Sequence, residues 1–268
     1  MRELIKKITL LFLRHQSPSD GSEKIKIYDD DTFLVSYPKS GSTWLRFLIG
    51  NYLTENKCDF TNHHILLPDI HEGLEYTGQA IRPRLIKSHF SFTPEYKKII
   101  YLARDGRDVA VSYYYHLQKY RKIHKNRNFS EFLGLFNSGE LGDGYGSWGQ
   151  HVASWLDSEI ANSDRFLLVK YEDLIKDPRV QFSKILSFTG RKVIPEQVES
   201  AIEASSLVSM KKLEERQQDI GKHLRFSDKT ISFVREGKPE SWKSMFSEKD
   251  LVSFMDANRS SLERLGYV

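Results

Sequence analysis

The sequence predicts a single α/β domain with a mostly parallel central sheet flanked by helices. Three observations carry this. Short apolar runs of strand length alternate with longer stretches whose apolar residues recur every three or four positions, the pattern of buried parallel strands joined by covering helices. The 268 residues, 39% hydrophobic and 28% charged, suit one globular domain with a substantial core. No internal repeat or low-complexity tract divides the chain. Residues 1–30 read as an N-terminal helix and linker, and residues 31–268 as the domain.

The elements follow in order. Met1 to Arg14 is basic and then apolar, with Ile8, Leu10, Leu11, Phe12 and Leu13 in one run. That run is too short to span a bilayer, and no small-residue cleavage site follows it. It reads as an amphipathic helix able to make weak peripheral membrane contact through Lys6, Lys7 and the Leu/Phe cluster. Residues 17–31 are polar and turn-rich, a linker. Residues 33–37 form an apolar strand closed by Pro38, and 38–43 form a loop. From Trp44 onward, Leu45, Leu48, Ile49, Tyr52 and Leu53 make a helical stripe. Strands are expected at 84–87 and 99–103, the second followed by a turn and a helix over 108–120. Another helix covers 148–156. A strand at 166–169 leads into Tyr171-Glu172-Asp173. Pro178 opens a helix to about 189, with Gly190 as its cap. Residues 196–213 read as helical by pattern, 214–241 as a long mobile loop, and 248–265 as the last helix. In such sheets ligands bind at the C-terminal ends of the strands, where Lys39, Lys87, Arg104 and Tyr171 all fall.

Composition narrows the function. A net charge of +4 is too small to argue for nucleic acid, and none is expected as a partner. The single cysteine, Cys58, permits no intramolecular disulfide, which fits a cytoplasmic protein. HExxH, CxxC and EF-hand patterns are absent, so no metal is expected. His63, His64, Asp69 and His71 sit in a Pro-containing segment without ligand spacing and read as a solvated loop.

Two segments carry chemistry on their own residues. In Tyr37-Pro38-Lys39-Ser40-Gly41-Ser42-Thr43-Trp44 a loop joins a strand to a helix N-terminus. Such a P-loop-like strand–loop–helix presents unpaired backbone N–H groups and a positive dipole end. Gly41 permits close backbone approach, Ser40, Ser42 and Thr43 add hydroxyls, and Lys39 adds charge. GxxxxGK[ST] is absent, and an ordinary Ser/Gly turn is the alternative. In the second segment Arg104 leaves a strand end and Ser112 lies about a turn into the next helix, so both can face one anion. The alternative there is a salt-bridged arginine and a surface serine.

YPKSGSTW closely resembles the 5'-phosphosulfate-binding segment of cytosolic-type sulfotransferases that use 3'-phosphoadenosine 5'-phosphosulfate (PAPS), usually YPKSGTTW. The stretch from Ile100 to Tyr113 is similar to that family's 3'-phosphate-binding segment, in which an Arg and a Ser eight residues later hold the phosphate. Residues 233–243 resemble its C-terminal RKGxxGDWK stretch in part: Arg235, Gly237, Trp242 and Lys243 match, whereas Glu236 replaces a Lys and Ser241 an Asp. Lys238 is placed to compensate for Glu236. The resemblance spans roughly residues 30–268.

It implies sulfuryl transfer from PAPS, without a metal, to an acceptor hydroxyl or amine, with His89 as catalytic base and Lys39 and Lys87 stabilising charge. His89 follows a strand end, and an imidazole titrates in the range needed to take a proton. Lys39, Ser40, Gly41, Ser42 and Thr43 are implied to bind the 5'-phosphosulfate and Arg104 and Ser112 the 3'-phosphate, with Arg235 and Gly237 covering the nucleotide. Trp44, Tyr171, Ser206 and Leu207 would contact adenine. Ser112 is also implied to hold Lys39 back until an acceptor arrives. Residues 54–80, 114–147 and 214–232 are expected to face the acceptor, and Tyr113, Tyr114, Tyr115 and His116 either wall its pocket or pack in the core. A Mg²⁺-dependent kinase and a non-catalytic nucleotide-binding module are the competing readings. The acceptor, a small molecule, glycan or lipid, is not legible, and no dimer motif settles the oligomeric state.

Overall fold

The computed structural model describes residues 26–72, 82–142, 144–221 and 223–268. The expected N-terminal helix lies outside them. Four parallel strands, β1 (Thr32–Val35), β2 (Leu85–Ser88), β3 (Ile99–Ala103) and β4 (Phe166–Lys170), form one sheet in the order β2-β1-β3-β4. Phe33 pairs with Ile99 on one side and Ile86 on the other, and Ile99 pairs with Phe166.

The two central strands, β1 and β3, read as near-continuous apolar runs because both their faces are buried, whereas the edge strand β4 is only partly covered and exposes Leu168. Alternate side chains go to opposite faces. Phe33, Val35, Ile99 and Tyr101 join one core with α3 (Gly106–Lys119), α4 (Phe129–Ser138), α5 (Trp148–Leu156) and α10 (Glu248–Arg264). Leu34, Ile100 and Leu102 join the other, under α1 (Ser42–Thr54), α7 (Pro178–Phe188) and α8 (Pro195–Ala204). Short α2 (His63–Leu66) and α6 (Tyr171–Lys176) and a longer α9 (Leu207–Gln217) complete the helices used here.

Three expectations change. The stretch 196–213 is two helices, α8 and α9, because Ser206 breaks it: its side chain caps α9 by accepting from the Ser209 N–H. Helix α4 went unread, yet Asn128 caps it and Phe129, Phe132, Leu133 and Phe136 are its buried stripe. The segment holding His63, His64 and Asp69 is not solvated; all three are buried. Of the loop expected at 214–241, residues 214–217 belong to α9; the described residues from 218 to 240 carry no helix or strand, but they are tethered. Glu214 accepts from the Phe233 and Val234 N–H groups at 2.6 and 2.8 Å, and Lys119 Nζ donates to the Ile231 carbonyl at 2.6 Å.

Candidate functional site

A cavity of about 710 Å³ opens at the C-terminal ends of the strands. It gathers Lys39, Gly41, Ser42, Thr43, Trp44, Lys87, His89, Arg104, Ser112, Tyr171, Leu207, Arg235 and Gly237 from segments far apart in sequence. Two expected residues do not line it. Ser40 is buried in the turn, its N–H donating to the Tyr37 carbonyl, and the Ser206 hydroxyl is engaged in capping α9.

The loop before α1 is held in an uncommon backbone shape, with Lys39 at φ 72° and Gly41 at φ 105°. Only glycine suits position 41: a Cβ there would stand 2.5 Å from the Tyr171 ring. Gly41 precedes α1 without any side-chain cap, so the first N–H groups of the helix are available to a ligand. The Lys39 amine lies 3.3 Å from His116 Nδ1 and 4.7 Å from the Phe233 ring centroid. Its hydrogen-bond partner is thus His116, one turn beyond the Ser112 that sequence reasoning proposed; Ser112 stands about two turns into α3. Burial, and then the neighbouring Lys87 and Arg104, bring the Lys39 pKa down to about 7.

Arg104 stacks 4.4 Å over the Tyr171 ring and donates to the Lys39 carbonyl at 3.4 Å. Its Nε is buried with no hydrogen-bond partner. Tyr171 donates to the Gly237 carbonyl at 3.1 Å and meets Trp44 edge-on at 5.7 Å. Trp44 is fixed in turn by donating to the Ser205 carbonyl at 3.0 Å. Arg235 lies 4.1 Å over the Tyr115 ring, and burial lowers its pKa. Asp108, in the first turn of α3, accepts from the Glu240 N–H, the Ser241 hydroxyl and the Trp242 N–H at 2.7–2.9 Å. That carboxylate fastens the C-terminal segment across the cavity. Glu236 and Lys238 both line the cavity, so the acid that departs from the family pattern has a cation in the same wall.

At the other end of the cavity, His89 Nδ1 lies 2.6 Å from the Ser36 carbonyl. A carbonyl only accepts, so Nδ1 carries the proton and Nε2 keeps its lone pair. Burial first, then Lys87, holds the His89 pKa well below the ordinary imidazole value. Asp69 pairs with Lys87 Nζ, stands 4.0 Å from Arg46, and accepts from the His71 N–H at 3.0 Å. Burial raises the Asp69 pKa, but Lys87 and Arg46 outweigh it and bring it well below the carboxylate range. His71 Nε2 accepts from the His89 N–H at 2.8 Å, and the two rings stack 5.5 Å apart. Asp69 and His71, passed over in the sequence, therefore frame Lys87 and His89. Tyr113 and His116 line the cavity, whereas Tyr114 is buried with its hydroxyl on the Arg127 carbonyl. Among the described residues no group of three His, Cys, Asp or Glu could hold a metal ion, and no helix is long and apolar enough to cross a membrane.

The residues fit an anionic nucleotide. Cations converge without enough carboxylates to balance them, Arg104 has an unused buried donor, and an aromatic and aliphatic recess (Trp44, Tyr171, Leu207) adjoins them. An anion-binding recess beside a neutral imidazole suits a group-transfer enzyme.

Comparison with known proteins gives the class. The sulfotransferase domain family matches residues 29–266. Bovine sulfotransferase 1A1 is 31% identical over 84% of this chain and 81% of its own length. Mouse sulfotransferase 1E1 is 31% identical over 82% of this chain and 79% of its own. Among solved structures, mouse sulfotransferase SULT7A1 complexed with PAP superimposes with a TM-score of 0.68 at 27% identity, covering 89% of this chain and 85% of that one. The chain belongs to the sulfotransferase family, and it is an enzyme of that family.

Proposed function

We propose that this chain transfers the sulfuryl group of PAPS to an acceptor hydroxyl or amine by in-line displacement, with His89 as general base. One observation carries the reading. The His89 imidazole has its Nδ1 occupied by the Ser36 carbonyl and its Nε2 left for the cavity that also collects Lys39, Lys87, Arg104 and Arg235. The bound donor supplies an activated sulfur joined to a phosphate leaving group. The backbone N–H groups around Gly41, with Ser42, Thr43 and Lys39, hold the 5'-phosphosulfate. Arg104 and Ser112 hold the 3'-phosphate, with Arg235 and Gly237 closing over it. Trp44, Tyr171 and Leu207 enclose the base. Ser40 acts through the turn and Ser206 by capping the helix that carries Leu207.

His89 Nε2 takes the acceptor proton as the new O–S (or N–S) bond forms and the S–O bond to the 5'-phosphate breaks. Lys39 and Lys87 stabilise charge that grows on the transferring group and the leaving phosphate. Placement in the cytoplasm, where the free, buried Cys58 stays reduced, is part of this proposal. Small-molecule, glycan and lipid acceptors all belong in the screen, because the fold does not choose among them.

The test is calorimetric titration with adenosine 3',5'-bisphosphate (PAP), against AMP and against ATP with Mg²⁺. Selective PAP binding that is lost in Arg104→Ala is the expected result. Preference for ATP with Mg²⁺ overturns the reading in favour of a kinase. PAP binding without turnover of PAPS on any acceptor class leaves a binding module.

A further inference from the structure

We propose that Ile220, Arg225 and Phe226, which flank the cavity-lining His223 in sequence, together with Arg121 and Lys122, which follow the cavity-lining Tyr120, form a rim beside the cavity that docks on an anionic lipid bilayer. The first observation is exposure. Phe226 is 81% and Ile220 65% exposed, the two most exposed large hydrophobic side chains among the described residues. A soluble face gains nothing by presenting a phenyl ring and a branched alkyl group to water.

The second observation is that this is a built projection. Leu224 is buried at 1% exposure in the small core that also holds Phe47, Phe60 and Met210. Its N–H and that of Arg225 both donate to the Gly221 carbonyl, at 2.9 and 3.1 Å. The Ser227 hydroxyl returns to the Leu224 carbonyl at 2.7 Å, and the Asp228 N–H donates to the Lys119 carbonyl at 2.7 Å. One side chain of the turn points in as an anchor, while Arg225 and Phe226 stand out with the guanidinium 4.6 Å from the ring centroid.

Charge is the third observation. The tip abuts the end of α3, where the Tyr120 hydroxyl donates to the His223 carbonyl at 2.6 Å. Of the cations here, Lys125 is paired with Asp228 and Lys229 with Asp219. Arg121, Lys122 and Arg225 are exposed and form no ion pair with a described carboxylate. Aromatic and aliphatic side chains ringed by unpaired cations match the headgroup layer of an anionic membrane, apolar tips below and phosphates around. Lys122, Tyr120 and His223 line the cavity, so docking by this rim turns the cavity mouth toward the headgroups. The inference does not depend on which donor or acceptor the site uses.

The experiment is cosedimentation of the full chain with vesicles of phosphatidylcholine, alone or mixed with phosphatidylglycerol, at low and high salt. Binding to the mixed vesicles only, weakened by salt, is expected. Each basic residue at such a surface is worth roughly fivefold in binding, so Arg121→Glu with Arg225→Glu should weaken it by well over tenfold. Phe226→Ser should weaken it about tenfold or more. Both variants keep the wild-type circular dichroism and thermal midpoint, which shows that they are folded. Lys6→Glu with Lys7→Glu should leave most of the binding. Absence of binding to the mixed vesicles overturns the proposal. So does binding that survives the rim substitutions but is lost with the Lys6 and Lys7 reversals.

Discussion

Lys39 provides the sharpest test of the donor site, because its charge should be made by the ligand. Burial and the surrounding cations bring its pKa to about 7. The sign follows directly. Placing phosphate oxygens beside the amine favours the ammonium, so binding of PAP raises this pKa toward the ordinary lysine value and draws a proton from solution. A group with pKa 7 is about half protonated at pH 7 and about one-tenth protonated at pH 8. Uptake is therefore about 0.5 proton at pH 7 and about 0.9 at pH 8. If the bound-state pKa returns to its usual range, PAP affinity falls about fivefold from pH 7 to 8 and nearly tenfold from pH 8 to 9, roughly 1 kcal/mol per step. The second phosphate ionisation, near pH 6, is almost complete over this range and opposes the trend only slightly. His89 and His116 are held neutral by burial and contribute below it. Calorimetry in buffers of different ionisation enthalpy measures the uptake, and titration from pH 6 to 9 measures the affinity. Lys39→Met should abolish both effects. Binding enthalpies that do not depend on buffer at pH 8, or an affinity flat from pH 7 to 9, would refute the reasoning.

Other predictions follow from the same geometry. His89→Ala should keep PAP affinity and lose about 10²–10⁴-fold in turnover, measured as PAP release with an active acceptor. Because burial and Lys87 keep the His89 pKa well below its ordinary value, the base form persists as pH falls; at saturating PAPS, kcat/KM for the acceptor should stay level down to about pH 6.5, and a limb centred there would contradict this. Arg104→Ala should cost about 1.5–3 kcal/mol of PAP binding, the range for hydrogen bonds to charged groups, with little effect on AMP. Asp69→Asn should lower stability to urea by about 3–5 kcal/mol, since it leaves Lys87 and Arg46 buried without their shared partner.

What could be read from the sequence were features whose cause is local. Pro38 and Gly41 punctuate a buried strand and a striped helix, so β1, the phosphate loop and α1 were placed closely, and α5 was placed residue for residue. Arg104 precedes α3 and Ser112 lies about two turns into it, and both line the cavity, a placement that follows from the strand–turn–helix pattern alone. Helix α4 is equally local in its Asn128 cap and Phe129, Phe132 and Phe136 spacing, although from sequence the stretch reads only as an acceptor-facing region. Asp69 is different. Nothing near it in the chain says that a carboxylate can be buried there, because its partners come from α1 and β2. The same holds for the Lys39–His116 contact, which requires the loop after β1 and the last turn of α3, the helix after the neighbouring strand β3, to meet. Long-range pairing decides such sites, and spacing in sequence carries little of it.

The Arg46, Asp69 and Lys87 trio has a consequence for how copies of this gene can decay. Two buried cations share one carboxylate. Removing Asp69 strands both cations, whereas removing Lys87 leaves Arg46 and Asp69, a pair whose charges cancel. Loss is thus asymmetric. A lineage released from selection for turnover can shed Lys87, the lysine proposed to stabilise the transferring group, and keep a stable fold, but it cannot shed the acid first. Folded, silent descendants should be found missing position 87 while still carrying the aspartate at 69.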